Sequence, residues 1–287
     1  MNLLADSKNC NFKSGLYIVS SPIGNLEDIT LRALKILKKS DFILCEDTRV
    51  SKKLLSKYKI KSKLISNYKF NERKNTQKII DMLRSNKIIS LLSDAGTPTI
   101  SDPGNILIKE CINNKINLIP IPGPSASITA ITVSGFSNKY YFYGFFPENN
   151  SEIKKNFELL SKLDSSIIFF ISAKKFNRSI HIIKKYFSDR ELLICKEITK
   201  YYEEYFRFKI NTLDMENINL KGEITLVISS KNNSNKSSNN LTESDKKKIN
   251  KLIKKFNVKE IVDLIKDGKD ISKKEIYSYC LKVKNEK

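Results

Sequence analysis

Short β-branched runs alternate with amphipathic stretches between Gly15 and Gly123. This alternation is typical of successive strand–helix units, which build a parallel sheet with helices on its faces. We therefore predict an open, Rossmann-like sheet, whose ligands bind beyond the carboxyl ends of the strands. The predicted strands are Leu16–Ser21, Phe42–Asp47, Lys63–Ser66, Ile88–Ser93 and Asn117–Ile121. The predicted helices are Asp28–Lys39 with Asp28 as its cap, Ser51–Lys57, Asn71–Ser85 and Gly104–Asn113.

The pattern changes after a helix that is predicted to open at Pro124. Longer strands then alternate apolar and polar residues, with fewer helices between them, which predicts a mostly antiparallel sheet with one buried face. A second α/β domain follows from this change. Its predicted strands are Tyr140–Phe145, Ser166–Ile171, Leu192–Ile198, Glu204–Ile210 and Glu223–Ser229.

The domain organisation follows from the chain length and from one low-complexity segment. A chain of 287 residues is long enough for two compact domains with an appendage. The run SSKNNSNKSSNN, from Ser229 to Asn240, has the composition of a flexible linker. We predict a Rossmann-like domain over 15–123, a second α/β domain over 124–229, a linker over 230–240 and a basic helical domain over 241–287.

The C-terminal segment is predicted to form short helices over Ser244–Phe256, Val258–Lys266 and Lys273–Lys284. Its predicted core is small, so we expect this segment to dock on the rest of the protein or on RNA. Its lysine runs are either a solvated helical face or an RNA-docking surface, and we favour docking. The predicted core residues are Leu252, Ile253, Ile261, Leu264, Ile276 and Tyr277.

The formal net charge of +21 indicates a polyanionic partner, because clustered Lys and Arg side chains release counterions from the phosphates of a nucleic acid. A second interpretation is drift in base composition, since the chain is rich in Lys, Ile and Asn, whose codons are A/T-rich. Of the two interpretations we favour an RNA partner.

Cysteine and histidine usage argues against several kinds of site. The five cysteines form no C-x-x-C pair, so neither a zinc knuckle nor a disulfide framework is indicated, and a reducing compartment fits. The single histidine, His181, lies on a predicted helix between Ile180 and Ile182, where ordinary packing is the expected role.

We expect a cytoplasmic protein without a membrane span. Residues Met1 to Ser14 contain no sustained apolar stretch. The longest uncharged segment, Ile116–Asn138, includes Pro120, Pro122 and Gly123, which do not suit a spanning helix.

Three glycine- and proline-rich loops follow predicted strands of the first domain: Ser20–Asn25, Ser93–Gly104 and Pro120–Ser127. Small residues let the backbone approach a ligand closely, and proline lowers the entropy that a loop loses on binding. One such loop is a weak signal, because tight turns follow strands in any α/β protein. Three at the same edge of one sheet predict a nucleotide-type pocket.

The sequence contains neither G-x-G-x-x-G nor G-x-x-x-x-G-K-[ST]. The first is the dinucleotide-binding motif, and the second is the phosphate-binding loop of many nucleotide hydrolases. A pocket without a phosphate cradle suits a nucleoside-like cofactor that has no phosphates. S-adenosylmethionine is such a cofactor.

Five stretches, taken in order along the chain, resemble the tetrapyrrole methylase superfamily. They are SPIGNLEDIT (Ser21–Thr30), EDTR (Glu46–Arg49), SDAGTPTISDPG (Ser93–Gly104), PGPSASITA (Pro122–Ala130) and KGEITLVI (Lys221–Ile228). Within the superfamily they resemble the enzymes that 2'-O-methylate a cytidine ribose in the decoding region of 16S rRNA. The resemblance runs from about Gly15 to Ser229, and KKEIYSYCLK (Lys273–Lys282) resembles the C-terminal helical domain of those enzymes.

This resemblance implies a methyltransferase that binds S-adenosylmethionine in the cleft between its two domains and forms a homodimer. The implied partner is 16S rRNA in the small ribosomal subunit. The implied cofactor contacts are Pro22, Ile23, Asp94, Ala95, Gly96, Thr97, Ser125, Ala126 and Gly222.

The chain departs from the family pattern at two places. Near the end of the strand Ser166–Ile171 the family has an acidic residue and then a His-Arg pair, whereas this chain has Ile171, Lys174 and Lys175. Of a His-rich family segment, only Asn71 and Glu72 remain. These changes either weaken catalysis or replace one cation by another.

A ribose hydroxyl is a poor nucleophile, so a nearby base that takes its proton would assist methyl transfer. Glu46, Asp47 and Glu72 are the candidates, because they lie at strand ends or loop starts on the expected cleft side. The alternative is that Glu46 and Asp47 cap a helix or pair with Arg49. If Asp47 is the base, Asp47→Asn abolishes methylation and leaves cofactor binding intact.

Two other functions remain open at this point. One is methylation of a porphyrin-like small molecule, which would not require the positive charge or the Lys-rich tail. The other is a catalytically weakened RNA-binding factor in ribosome assembly, which the missing carboxylate at Ile171 makes worth testing.

Overall fold

The computed structural model describes residues 12–214, 220–231, 241, 243–253, 255–266 and 272–285. The chain divides into two compact units, Met1–Lys231 and Asn232–Lys287. Most of the predicted linker, from 232 to 240, lies outside the described residues. The predicted domain boundary at 123/124 lies within the first unit, where two sheets follow one another along the chain, and it stays a prediction.

The first sheet contains five strands in the order β3-β2-β4-β1-β5, and all of its neighbours pair in parallel. This arrangement confirms the predicted open parallel sheet. Several strands end earlier than predicted, because the polar residues after them leave the sheet into loops at its carboxyl edge. The strands are β1 (Gly15–Val19), β2 (Phe42–Cys45), β3 (Lys63–Ser66), β4 (Ile88–Leu92) and β5 (Leu118–Ile121).

Helices α1 (Leu31–Lys39), α2 (Thr48–Lys57), α3 (Glu72–Arg84) and α4 (Asn105–Asn113) cover both faces of this sheet. Buried residues of α1 and α2 pack with one face of the strands, and those of α3 and α4 pack with the other. A parallel sheet that is covered in this way has near-continuous apolar strands. The buried run from Ile89 to Leu92 is an example.

The prediction that Asp28 caps the first helix was wrong. Asp28 ends a short 3-10 turn, and α1 begins after it with Thr30 as its cap. The Thr30 hydroxyl accepts a hydrogen bond from the Ala33 amide at 3.1 Å. Thr30 is favoured because its side chain reaches an amide that the helix itself leaves unpaired.

The second sheet has the order β6-β7-β10-β8-β9. β6 and β7 pair in parallel and the remaining neighbours are antiparallel, so the predicted mostly antiparallel sheet is confirmed. Its strands are β6 (Tyr140–Phe145), β7 (Ser166–Ser172), β8 (Glu191–Lys196), β9 (Glu204–Lys209) and β10 (Glu223–Ile228).

The second sheet is also covered on both faces. Helices α6 (Asn150–Leu160) and α7 (Ala173–Phe187) pack on one face, and α5 (Ala126–Thr132) packs on the other. Ile23, from the first glycine-rich loop, is buried in the same cluster as Ala130 of α5. This cluster joins the first loop to the second sheet. His181 lies on α7 as predicted but is exposed, because Ile183 and Phe187 form the buried side of that helix.

Strand β6 contains a one-residue irregularity. Phe142 aligns with Ile168, whereas Gly144 aligns with Phe169, so Tyr143 is an extra residue in the pairing with β7. After this bulge, Phe145 is 64% exposed and Phe146 is only 2% exposed, within the core beneath α6. The bulge therefore sets which of the two rings faces outward.

The second unit contains α8 (Glu243–Leu252), α9 (Val258–Lys266) and α10 (Lys273–Asn285). Its core includes the predicted Ile261 and Ile276, but Leu264 and Tyr277 are exposed. Other residues complete this core. Leu241 precedes α8, and the helical period turns the remaining ones inward: Ile249, Val262, Ile265 and Cys280. Within the described ranges, no helix combines the length and the apolar character that crossing a membrane requires.

Candidate active site

The first two glycine-rich loops are joined through their backbones. The Ser21 amide donates to the Gly96 carbonyl at 2.9 Å, and the Gly96 amide donates to the Ser21 carbonyl at 3.1 Å. Gly96 has a φ of +81°, which favours glycine, and a Cβ there would lie 3.4 Å from Ile23. These contacts hold the loops after β1 and β4 at a fixed separation.

The third loop meets the same junction. The Thr97 hydroxyl lies 3.0 Å from the Ser20 hydroxyl and 3.3 Å from the Pro124 carbonyl. A Cβ at Gly123 would lie 2.9 Å from the Ser20 Cβ, so only glycine allows this close approach. All three predicted loops therefore converge at the carboxyl edge of the first sheet.

A cavity of about 510 Å³ opens between these loops and the second sheet. This size lies within the range of small-molecule sites. Pro22 is buried and does not line the cavity, unlike its neighbour Ile23. The predicted cofactor contacts that line it are Ile23, Asp94, Ala95, Gly96, Thr97, Ser125, Ala126 and Gly222.

The second sheet supplies a wall that the sequence did not identify residue by residue. Phe145, Phe170, Ile224 and Thr225 line the cavity, and the Phe145 and Phe170 rings meet edge to face at 5.8 Å. The pairing of β6, β7 and β10 brings these residues together. In the sequence, only the alternation of apolar and polar residues along these strands indicated such a wall. The result is an apolar wall opposite the polar loops.

The positions that depart from the family pattern also lie at this wall. Ile171 is 6% exposed and aligns with Ile224, so its side chain packs where the family has a carboxylate. Lys175 lines the cavity, and its Nζ donates to the Phe146 carbonyl at 3.0 Å. The lysine is therefore anchored to the loop after β6.

Backbone strain is concentrated around the cavity. Among the described non-glycine residues with positive φ, Thr99 and Ser101 lie in the second loop, and Glu197 and Thr199 lie in the hairpin between β8 and β9. The others are Lys59, Asn86 and Lys115, which follow helix ends. Left-handed backbone is unfavourable for these residue types and is common at functional sites. The clustering agrees with a functional cavity.

Asp102 is a carboxylate in the cavity wall that the sequence prediction missed. Burial, together with the nearby charges of Glu46 and Asp94, raises the pKa of Asp102 to about 6. A carboxylate with this pKa is ionised at neutral pH yet is a much better proton acceptor than an ordinary aspartate. The motif SDPG offered no sign of this, because an aspartate before proline is common in turns.

Glu46 and Asp94 are distant from Asp102 in the sequence, but their negative charges lie near enough to raise its pKa. Burial raises the pKa of Glu46, with further contributions from the charges of Asp94 and Asp47. Burial also raises the pKa of Asp94, whose carboxylate accepts a hydrogen bond from the Asp47 amide at 3.2 Å. The site thus holds several carboxylates that repel one another and attract cations.

Asp47 has a different environment. It caps α2, and its carboxylate accepts from the Arg49 amide at 2.8 Å and pairs with the Arg49 guanidinium at 2.6 Å. Hydrogen bonds from Arg49 lower the pKa of Asp47 to about 2. A carboxylate held in this way is a weak proton acceptor, and the geometry favours the capping and pairing alternative.

Glu72 lies away from the cavity. It is 4% exposed at the start of α3, and its carboxylate accepts from the Leu107 amide in the first turn of α4 at 3.0 Å. This contact satisfies an amide that α4 leaves without an internal partner. The structure therefore does not support Glu72 as the base, since its carboxylate joins two helices.

The hairpin between β8 and β9 closes the cavity beside the first loop. The Asn25 amide donates to the Thr199 hydroxyl at 3.0 Å. The Glu197 carboxylate accepts from the Glu223 amide at 2.7 Å and from Lys200 at 3.2 Å. Gly222 has a φ of +83°, and a Cβ there would overlap the Glu197 carboxylate. Glycine at this turn thus lets the hairpin and β10 come together.

Comparison with known proteins identifies the family that shares this arrangement. The model of the family described as Tetrapyrrole (Corrin/Porphyrin) Methylases matches residues 15–214. The chain belongs to the tetrapyrrole methylase family. A relative of this methylase from Rickettsia prowazekii (strain Madrid E), named ribosomal RNA small subunit methyltransferase I, is 42% identical over 284 residues, which cover 95% of this chain and 98% of that protein. A protein of the same name from Thermotoga maritima is 42% identical over 219 residues, covering 75% of this chain and 98% of that protein.

Solved structures share the fold of this methylase. A cobalt precorrin-4 methyltransferase matches with a TM-score of 0.56 and 18% identity, over 75% of this chain and 94% of that chain. A uroporphyrin-III C-methyltransferase from Thermus thermophilus, complexed with S-adenosylhomocysteine, matches with a TM-score of 0.52 and 12% identity, over 75% of this chain and 97% of that chain. At these identities the likeness shows the fold alone, and it confirms the predicted fold class.

Proposed function

We propose that this methylase transfers a methyl group from S-adenosylmethionine to the 2'-hydroxyl of a cytidine in the decoding region of 16S rRNA. The substrate class follows the relatives named ribosomal RNA small subunit methyltransferase I, which include the two described above at 42% identity. The resemblance of the motifs further supports a homodimer that acts in the cytoplasm on the small ribosomal subunit.

The observation that carries this proposal is the convergence of three loops on one cavity. Ser21 and Gly96 join two of the loops, and Thr97 joins both to Pro124. Rigid loops around a cavity lose little entropy when a ligand binds. The family of methylases to which the chain belongs makes S-adenosylmethionine the cofactor that we propose for this cavity.

The cavity residues suit that cofactor. S-adenosylmethionine supplies an electrophilic methyl group on a positively charged sulfur when it is bound. Asp94 and Asp102 present carboxylates to the cavity, and these favour a cation in a partly desolvated site. Ile23, Ala126 and Ile224 present apolar surface that suits an adenine ring. One structural neighbour, the uroporphyrin-III C-methyltransferase, is complexed with S-adenosylhomocysteine.

The cofactor contacts that we propose are those implied by the motifs except Pro22, which is buried and does not line the cavity. Its neighbours Ser21 and Ile23 hold the first loop against the second. The backbone around Gly96 comes close to the cavity because no side chain intervenes. The turn at Gly222 brings the start of β10 to the same cavity.

We assign the base to Asp102 in place of Asp47, with Glu46 and Asp94 tuning it. Asp102 lines the cavity and has a pKa of about 6, so at neutral pH its carboxylate can accept the proton of the ribose hydroxyl. The other task of the chain is alignment, since displacement at a methyl carbon depends on the position of the incoming oxygen. Ile171 stands where the family has a carboxylate, but Asp94 and Asp102 still line the cavity with acidic side chains.

The test is a methyl-transfer assay with radiolabelled S-adenosylmethionine. Small ribosomal subunits that lack the modification and tetrapyrrole precursors are offered in parallel, and calorimetry measures cofactor binding. We expect label in 16S rRNA, at a cytidine ribose. Label in the tetrapyrrole fraction would support the small-molecule alternative, and cofactor binding without any transfer would support the weakened assembly factor. An absence of cofactor binding would contradict the proposed enzyme.

A further inference from the structure

An aromatic side chain stands in solvent on the loop after β3. Phe70 is 87% exposed, and its ring meets the ring of the neighbouring Tyr68 edge to face at 6.2 Å. Exposed phenylalanine is unfavourable in water, and a solvated ring among charges is a common feature of sites that bind unpaired bases. The chemistry of its surroundings decides which partner it suits.

The loop presents this ring on a fixed frame. The Tyr68 amide donates to the Asn71 side chain at 2.7 Å, and the side chains of Asn71 and Asn75 donate to the Ser66 carbonyl at 3.2 Å and 2.9 Å. The backbone amides of Asn71 and Glu72 both donate to the Tyr68 carbonyl. A ring held on a fixed turn loses little freedom when a planar partner stacks on it.

The surroundings of Phe70 are strongly basic. Between Arg49 and Lys78 the chain has eleven Lys or Arg residues and one acidic residue, Glu72. All eleven cations are exposed, whereas Glu72 is buried. Among the described residues only Arg49 and Lys57 of these cations lie within ion-pairing distance of a carboxylate. Lys59, Lys61 and Lys63 precede or begin β3, at the amino edge of the sheet, whereas Lys69, Arg73 and Lys74 follow β3 at the carboxyl edge, as Phe70 does. We call Lys69, Arg73 and Lys74, together with Tyr68 and Phe70, the β3 patch.

The β3 patch adjoins the cavity along one edge of the sheet. Ser66 at the end of β3 aligns with Cys45 of β2, and Cys45 aligns with Leu92 of β4. The loops after these three strands therefore leave the sheet at the same edge. With neighbouring strands about 4.8 Å apart, the β3 loop begins about 10 Å from the loop that carries Asp94 and Asp102. A strand of nucleic acid can span that distance within a few nucleotides.

We propose that the β3 patch binds the single-stranded RNA next to the modified nucleotide, with one flanking base stacked on Phe70 and its phosphates on the neighbouring cations. This inference rests on the proposed function, since it assigns the flanking RNA of that substrate. Stacking explains an exposed ring, and phosphates explain cations without carboxylate partners. A second copy of this chain suits the patch less well, because two equally basic surfaces repel each other.

The test compares the full-length protein with Phe70→Ala and Phe70→Trp. Methyl transfer to small ribosomal subunits is measured at varied subunit concentration, and cofactor affinity is measured by calorimetry. For Phe70→Ala we expect the KM for the subunit to rise on the order of tenfold, with kcat and cofactor affinity unchanged, because one base–aromatic stack is lost. Phe70→Trp should restore the KM, since a larger ring still stacks.

Two further variants separate stacking from charge and from general loss of apolar surface. Lys69→Ala should lower the slope of log KM against log salt by about 0.7, as expected for one lost phosphate contact on a single strand. Phe70→Ala should leave that slope unchanged. Ile112→Ala is the matched control, because Ile112 is an exposed apolar residue near the end of α4, at the opposite edge of the sheet.

A binding assay distinguishes failure of this inference from failure of the proposed function. A single-stranded RNA with 2-aminopurine beside the target cytidine reports stacking by its fluorescence, whether or not methyl transfer occurs. If the parent protein transfers no methyl group but Phe70→Ala weakens RNA binding about tenfold, the patch stands and the enzyme assignment fails. An unchanged KM and unchanged RNA affinity for Phe70→Ala would overturn the patch. So would a smaller oligomer for Phe70→Ala in sedimentation, which would assign the ring to an interface between copies.

Discussion

Two aspartates that look alike in sequence have opposite chemistry in the structure. Asp47 and Asp102 each lie in a loop at the carboxyl edge of the first sheet, but Asp47 pairs with exposed Arg49, whereas Asp102 is partly buried near Glu46 and Asp94. The EDTR stretch shows where a carboxylate lies, but burial and neighbouring charges depend on residues that are distant in sequence. For this reason the candidate cofactor loops could be predicted from sequence, and the candidate base could not.

Replacement of Asp102 tests its role as the base. Asp102→Asn should lower kcat for methyl transfer by about a hundredfold or more, because general-base catalysis typically contributes at least that factor. Cofactor affinity, measured by calorimetry, should change much less. Asp47→Asn is the matched control and should retain most of the kcat, since Asp47 has a pKa of about 2. Comparable losses in both variants would contradict the assignment.

The parent enzyme should also show the titration of Asp102 in its activity. Because the pKa of Asp102 in the free protein is about 6 and the base must be ionised, kcat/KM for the cofactor should fall as the pH decreases through that value. Measurements of kcat/KM between pH 5 and pH 8, with the cofactor below its KM, would follow this fall. A rate that stays flat down to pH 5 would argue for a base of lower pKa.

Asp102 should reduce the stability of the cofactor-free protein at neutral pH. Its folded pKa of about 6 exceeds the ordinary value of 3.8, so the folded state binds this proton more tightly than the unfolded state does. Stability from this group is present below the ordinary pKa and is lost as the pH rises through 6. Asp102→Asn should therefore raise Tm at pH 8 relative to the parent, and the difference should shrink towards pH 4. Thermal unfolding of both proteins across that range is the measurement.

At the scale of helices and strands, periodicity predicted the order and type of the elements in both sheets. It works here because burial on one face fixes the period of the apolar residues in a helix such as α1, and because a strand that is covered on both faces, such as β4, is continuously apolar. Features that depend on a single contact were not visible in this pattern. They include the Thr30 cap, the extra residue in β6 and the solvent exposure of Leu264.

The turn before β10 offers a test of element packing. Gly222→Ala places a side chain at positive φ and also against Glu197, whereas Gly135→Ala has the same backbone problem with nothing within 4 Å of the added carbon. Gly135→Ala should cost about 1 kcal/mol of unfolding free energy from backbone conformation alone. Gly222→Ala should cost clearly more and should weaken cofactor binding, because the turn lines the cavity. Urea unfolding and calorimetry of both variants measure these effects, and equal costs would contradict the contact argument.

At the scale of the whole molecule, the candidate cavity and the basic tail belong to separate compact units. The cavity lies entirely within the unit Met1–Lys231, and the helices α8 to α10 have their own small core. The Thermotoga maritima relative matches 219 residues, which cover 75% of this chain and 98% of that protein, so a shorter protein carries that name. The tail is therefore expected to assist substrate binding without taking part in the chemistry.

Removal of the tail tests whether it assists substrate binding without affecting the cofactor site. A chain that ends at Lys231 should keep its cofactor affinity, because the cavity residues all remain. Its affinity for the small subunit should fall, with a shallower dependence on salt, because fewer lysines contact phosphate. Filter binding at several salt concentrations gives both quantities. An unaltered salt slope would leave the lysines of the tail as a solvated surface only.

The one-residue bulge in β6 decides which aromatic ring faces the cavity. Side chains on a strand alternate between faces, so a net deletion of one residue before Phe145 would exchange its place with that of Phe146. Phe146 would then take the exposed position that Phe145 now holds at the cavity, and Phe145 would have to fit among the buried residues beneath α6. In the evolution of such chains, substitutions in this strand can reshape the pocket gradually, whereas an insertion or deletion of one residue turns every following side chain of the strand to the other face. Insertions and deletions should therefore be rare at this point among chains that keep the pocket.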